Sequence, residues 1–117
     1  MKKSIEWYIK KGFSPKMAEY FFNGRRKITG VHPNNDFTLL LTFDNGEKRI
    51  FNVKPFIKKD TVFEPLSDWN KFKDVYLDID GTVSWDKDSS VDSNIVWNNK
   101  IDLSTDTLYV ESVPKNF

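Results

Sequence analysis

The chain has 117 residues, of which 38% are hydrophobic, 15% aromatic and 30% charged, a balance that fits one globular domain and excludes a disordered segment. It contains no cysteine, which removes disulfides, thiolate nucleophiles and Cys-ligated zinc and agrees with a cytoplasmic protein. Net charge is only +1, yet residues 1–60 carry 13 Lys/Arg against 6 Asp/Glu and residues 61–117 carry 5 against 11, so the halves stand at +7 and −6. Such asymmetry suits attraction between the halves of one fold, an oppositely charged partner, or head-to-tail pairing into a homodimer.

In MKKSIEWYIKKGF, Glu6 and Lys10 interrupt any signal-like apolar core, and no run of membrane-spanning length follows, so no membrane partner is expected. Ser4 can cap a first helix carrying Ile5, Tyr8 and Ile9 at helical spacing, with Gly12 as its stop. A second helix starts at Ser14-Pro15, shows Met17, Tyr20 and Phe21 as its apolar stripe, and ends at Asn23-Gly24. Residues 1–26 therefore read as an N-terminal helical arm. The cations Arg25, Arg26 and Lys27 follow it directly. Two short helices joined by a tight turn have the dimensions of a helix-turn-helix, but the second offers mainly Lys16, Glu19 and Asn23 to base edges. A nucleic-acid-binding regulator using this arm is thus the alternative reading.

From Ile28 the pattern alternates, and residues 27–117 read as an α+β core. ITGVH is a strand, Pro33-Asn34-Asn35 a turn, and Phe37, Leu39, Leu41 and Phe43 line one face of the next strand. Asp44-Asn45-Gly46 signals a hairpin. A three-residue loop with Gly46 in the left-handed position pairs Leu39 with Phe51 and Phe37 with Val53, matching apolar faces, whereas a two-residue loop would set Leu39 against Asn52. The third strand ends at Lys54-Pro55. A turn-rich connection then brings Phe56, Ile57, Val62, Phe63 and Leu66 over the core, and Asp68 caps a short helix presenting Trp69 and Phe72. VYLDI and TVSWD read as strands joined at Asp80-Gly81, followed by a helical turn near Ser104–Leu108 and YVESV as a last strand. The expected fold is α+β: a two-helix arm, then a small, largely antiparallel sheet packed against a short helix.

Two stretches invite chemistry. Asp78-Ile79-Asp80-Gly81-Thr82 resembles the first motif of the haloacid-dehalogenase phosphatases, in which Asp78 would be nucleophile and Asp80 the acid/base beside a magnesium ion. That superfamily requires a parallel, helix-flanked sheet, and only 35 residues without a βαβ pattern follow Thr82. Asp-Gly is also an ordinary turn dipeptide, so both aspartates are expected on the solvent side of a strand and its turn. The second stretch alternates Asp86, Asp88, Ser90, Asp92 and Asn94, but lacks the glycine and bidentate glutamate of a calcium loop in either frame. The single histidine, His32, precedes Pro33 and shapes a strand exit. No cofactor or metal site is expected, and the chain reads as a non-enzyme.

The aromatics exceed what a small sheet needs: four Trp, four Tyr and ten Phe. Trp97 and Phe117 lie outside the periodic elements and are candidate partner-binding residues, together with Arg25, Arg26 and Lys27.

Phe43, Gly46, Glu47, Pro55, Leu66, Asp68, Phe72, Trp97, Asp102, Leu103, Leu108 and Tyr109 follow a pattern that resembles the bacterial family known as domain of unknown function 2442, over about residues 27–110. Trp85 is an alternative to Trp97 for the family's tryptophan, and the helical arm is additional to the common core. The resemblance implies no reaction and no catalytic residue. It implies a small protein of the kind associated with toxin–antitoxin-like modules. With the charge asymmetry and surplus aromatics, the expected function is binding to another protein in an antitoxin-like or inhibitor role, including inhibition of a nucleic-acid-targeting enzyme such as a CRISPR effector.

Overall fold

The structure, a computed structural model, describes residues 3–115. Helices α1 (Ile5–Lys10) and α2 (Pro15–Asn23) form the arm. Each starts on a serine, with the Ser4 hydroxyl accepting from the Trp7 amide and Ser14 from that of Met17. Strands β1 (Ile28–Pro33), β2 (Thr38–Phe43) and β3 (Lys48–Asn52) form a meander, and α3 (Trp69–Phe72) follows after two short 3-10 turns. Then come β4 (Tyr76–Leu77), β5 (Val83–Asp86), β6 (Lys100–Leu103), α4 (Thr105–Glu111) and β7 (Val113–Pro114).

The strands divide into two antiparallel sheets, ordered β1-β2-β3-β7 and β4-β5-β6. The first hairpin adopts the bulged register: Leu39 opposes Phe51, and the Val53 amide donates to the Phe37 carbonyl. Leu39, Leu41 and Phe43 are buried from one side of β2, while the residues between them are half-buried. They meet Phe51, Val53, Leu66, Phe72, Val83, Trp85, Ile101 and Leu108 in a core shared by both sheets. Trp85 is wholly buried, and its indole N–H donates to the Phe72 carbonyl at 2.9 Å, so the largest core side chain leaves no polar atom unpaired.

The arm obeys a different packing rule. No residue of α1 is buried; Tyr8, Phe13 and Phe21 instead form a ring cluster with centroids 5.0–6.2 Å apart that holds α1 to α2. On α2, Ala18 and Tyr20 are buried, whereas Met17 and Phe21 are half-covered, so the stripe facing the core is shifted from the expected one. Tyr20 stacks obliquely on Tyr109 of α4, and its hydroxyl donates to Asp106 at 2.7 Å.

Three local expectations change. VYLDI contributes only Tyr76 and Leu77 to a strand, because Asp78 already begins the loop. YVESV continues helix α4 to Glu111, since the Ser104 cap starts a helix that runs seven residues, and only Val113-Pro114 pairs with β3. KIDL, which carried no strand signal beyond Ile101 and Leu103, pairs with β5 and completes the second sheet. Among the described residues, no helix is long and apolar enough to cross a membrane.

Candidate functional site

Three places collect the residues of interest. At the first, the phosphatase-like motif, Asp78-Ile79-Asp80-Gly81-Thr82 is a hairpin loop. The Asp78 amide donates to the Thr82 carbonyl and the Gly81 amide to the Asp78 carbonyl, both at 2.9 Å. Asp80 accepts from the Thr82 amide and hydroxyl, which holds its carboxyl below the usual range. Asp78 forms an ion pair with Lys100 of β6 and keeps that ammonium above its ordinary pKa. The solvent-facing placement expected for Asp78 is therefore wrong: its side chain is only 11% exposed, because β6 brings a lysine to it. Ile79 sits fully exposed at the loop tip.

At the second place, residues 87–99 loop out between β5 and β6. Buried Asn99 organises the loop. Its side-chain amide donates to the carbonyls of Asp88 and Val91 and to the Ser93 hydroxyl, while its oxygen accepts from the Asp88 amide. Asp86 is occupied by the Tyr76 and Ser93 hydroxyls, and burial together with that carboxylate pushes the Tyr76 phenol up. Asp88 and Asp92 cap their own turns at the amides of Ser90 and Asn94. The alternation that looks like a cation loop is thus spent on local hydrogen bonds. Among the described residues, no group of three or more His, Asp or Glu side chains could hold a metal ion.

This tethered loop presents Ile95, Val96 and Trp97, three consecutive apolar residues of which Ile95 is 79% and Trp97 82% exposed. Val62, 57% exposed, shares a shallow concavity with Trp97, rimmed by Lys87, Lys100 and Asp102. Sequence reasoning singles out Trp97 and misses its neighbours, although an apolar triplet inside an Asp/Asn-rich loop is a readable signal. The two tryptophans offered for the family's position differ in placement: Trp85 is core and Trp97 is surface.

The third place is the junction of arm and core. Arg25 donates to both oxygens of Asp106, at 3.2 and 2.6 Å, and lies over the Phe21 ring. The Arg26 backbone amide donates to the Tyr20 hydroxyl at 3.0 Å, and the Lys27 carbonyl accepts from Asp44. Burial and the Asp106 carboxylate push the Tyr20 phenol up to about 12. Below it, Arg49 is fixed by Glu47, the Ser112 hydroxyl and the Ser112 carbonyl, with its guanidinium 4.7 Å from the Tyr109 ring centre. Of the three consecutive cations, Arg25 is committed to α4 through Asp106; all three border a concavity shared with Asp80, and Arg26 also lines a cleft between α2 and α4. His32 lies exposed on β1, away from these groups. Phe117 lies outside the described residues.

The family described as Protein of unknown function (DUF2442) matches residues 28–114, so the chain belongs to that family. The match begins at the first residue of β1 and ends at the last of β7, leaving the arm outside it. No curated protein and no solved structure matches the chain.

Proposed function

We propose that the protein acts by binding another protein, and that the surface around Trp97 makes the contact. The observation that carries this reading is the exposure of Ile95, Val96 and Trp97 on a loop that Asn99 holds in shape. A large aromatic on a pre-organised loop saves the cost of ordering the backbone on association and supplies an anchor of the kind that dominates interface energetics. Lys87, Lys100 and Asp102 rim the concavity beside Trp97, so charges of both signs surround an apolar anchor, the arrangement of a polar rim around an interface core. In this reading the protein has an inhibitor or antitoxin-like role, its exposed aromatic surface covering the functional face of a nucleic-acid-targeting enzyme.

The test uses a photo-crosslinking amino acid at position 97 in cells that carry the native protein, with a second insertion at exposed Thr29 on β1 as control. One defined partner crosslinked from position 97 and not from 29, lost in the Trp97→Asp variant, supports the reading. Purified protein should then block that partner's nuclease or nucleic-acid-binding activity. Identical crosslinks from both positions, or a partner retained by Trp97→Asp, would sink it.

A further inference from the structure

We propose that the cleft between α2 and α4 is a binding site for a sugar phosphate. It measures about 610 Å³, within the range of small-ligand sites, roughly 300–1,000 Å³. Lys16, Glu19 and Asn23 of α2, Arg26 beyond it, and Arg49 and Tyr109 of the core line it.

Three guanidinium groups surround this junction, and two are neutralised. Arg25 holds Asp106, and Arg49 holds Glu47. Those carboxylates are used again, Asp106 by Tyr20 and Glu47 by Asn45 and Tyr109. Arg26 is that third group. It is half-buried, and among the described residues its guanidinium has no hydrogen-bond or ion-pair partner. Its backbone, not its side chain, anchors Tyr20. A guanidinium fork that no carboxylate engages matches two oxygens of a phosphate, and Lys16 adds a second cation at the rim.

The other lining groups narrow the ligand. Glu19 is an acceptor and Asn23 both donor and acceptor, which suits hydroxyls on the same molecule. A nucleobase would find no open ring to stack on, since Tyr20 is 5% exposed and Arg49 covers Tyr109. A phosphate ester of a sugar satisfies each of these conditions. This site is separate from the Trp97 surface and stands or falls without it.

The experiment titrates the full chain at low ionic strength with ribose phosphate, free ribose and inorganic phosphate, following backbone amide shifts by NMR. Ribose phosphate should give saturable shifts at Lys16, Asn23, Arg26 and Tyr109, and should bind more tightly than either fragment. Arg26→Gln should weaken it about tenfold or more, as for loss of a charge-assisted hydrogen bond. Lys16→Gln, at an exposed helix position, should weaken it by a smaller factor with an unchanged melting curve. Glu19→Gln should erase the preference for ribose phosphate over inorganic phosphate. Absence of saturable shifts, or affinity unchanged in both cation variants, would overturn the site. So would a single-stranded oligonucleotide that shifts the same amides with affinity rising with length and is not displaced by ribose phosphate.

Discussion

The two hairpin loops, Asp44–Gly46 and Ile79–Gly81, are built alike and support different things. In each, the residue before the loop exchanges backbone hydrogen bonds with the residue after it and with the loop glycine, at 2.9 Å throughout. Both glycines adopt positive φ, 84° at Gly46 and 87° at Gly81. In each, the middle side chain accepts from the amide two residues on, Asn45 from Glu47 at 3.0 Å and Asp80 from Thr82 at 3.1 Å. The first loop joins long strands that alternate into the core, and its flanking residue is buried Phe43. The second joins a two-residue strand to β5, and its flanking residue is Asp78, paired with Lys100. The comparison shows what D-x-D-G-T means here: a turn recipe with both aspartates occupied by structural partners.

If the second hairpin depends on its strand rather than its loop, the largest effect should come from Trp85→Ala, at about 3–5 kcal/mol in urea unfolding, since it leaves a cavity in the core and removes the indole hydrogen bond to the Phe72 carbonyl. Leu41→Ala in the first hairpin should cost about 2–5 kcal/mol. A Trp85→Ala cost near zero would mean that the second sheet is not part of the shared core. The loops themselves should respond equally: Gly46→Ala and Gly81→Ala each lose about 1–2 kcal/mol. The cost is conformational, as an added Cβ meets nothing within 4 Å at either glycine. A large inequality between these two unfolding midpoints would break the equivalence of the loops.

Acid should separate them more finely. Hydrogen bonds from Thr82 lower the Asp80 pKa. Its contribution to stability is therefore complete above the unfolded aspartate value, about 4, and disappears as pH falls through the lower folded value. Asp80→Asn keeps the acceptor and removes the charge, so the acid-unfolding curve should flatten below about pH 4. In the first hairpin Asn45 does not titrate. Acid sensitivity there enters through Glu47, where burial raises the pKa but the bonds from Arg49, Asn45 and Tyr109 outweigh it and lower the value overall. Glu47→Gln should flatten the same region of the curve. The smallest expected effect is on chemistry: Asp78→Asn should leave hydrolysis of a generic phosphate ester at the wild-type level in a metal-supplemented assay. A loss of hydrolysis specific to that variant would restore the catalytic reading.

The first hairpin was legible because alternation and turn type constrain each other: only the bulged register brings Leu39 and Phe51 to one face. Of the second sheet, the β4–β5 hairpin was legible from two apolar runs joined at Asp80-Gly81, but β6 was not, because Lys100 and Asp102 carry no strand pattern strong enough to separate them from loop. Trp97 stood out as aromatic and aperiodic, while the role of Asn99 could not be read, since its four hydrogen bonds depend on how residues 88–93 fold around it. Likewise Arg25, Arg26 and Lys27 form a single basic run in sequence. Asp106, 81 positions from Arg25, engages that arginine alone.

Sequence by itself determined the helix caps, the bulged hairpin, the α+β class and the turn at Gly81, because each depends on contacts within a few residues or on one alternating face. Tertiary structure alone decided that Asp78 meets Lys100, that Trp85 is core while Trp97 is surface, and that Arg26 is left without a carboxylate. Those outcomes depend on which distant side chains share a space, and local patterning carries no record of that.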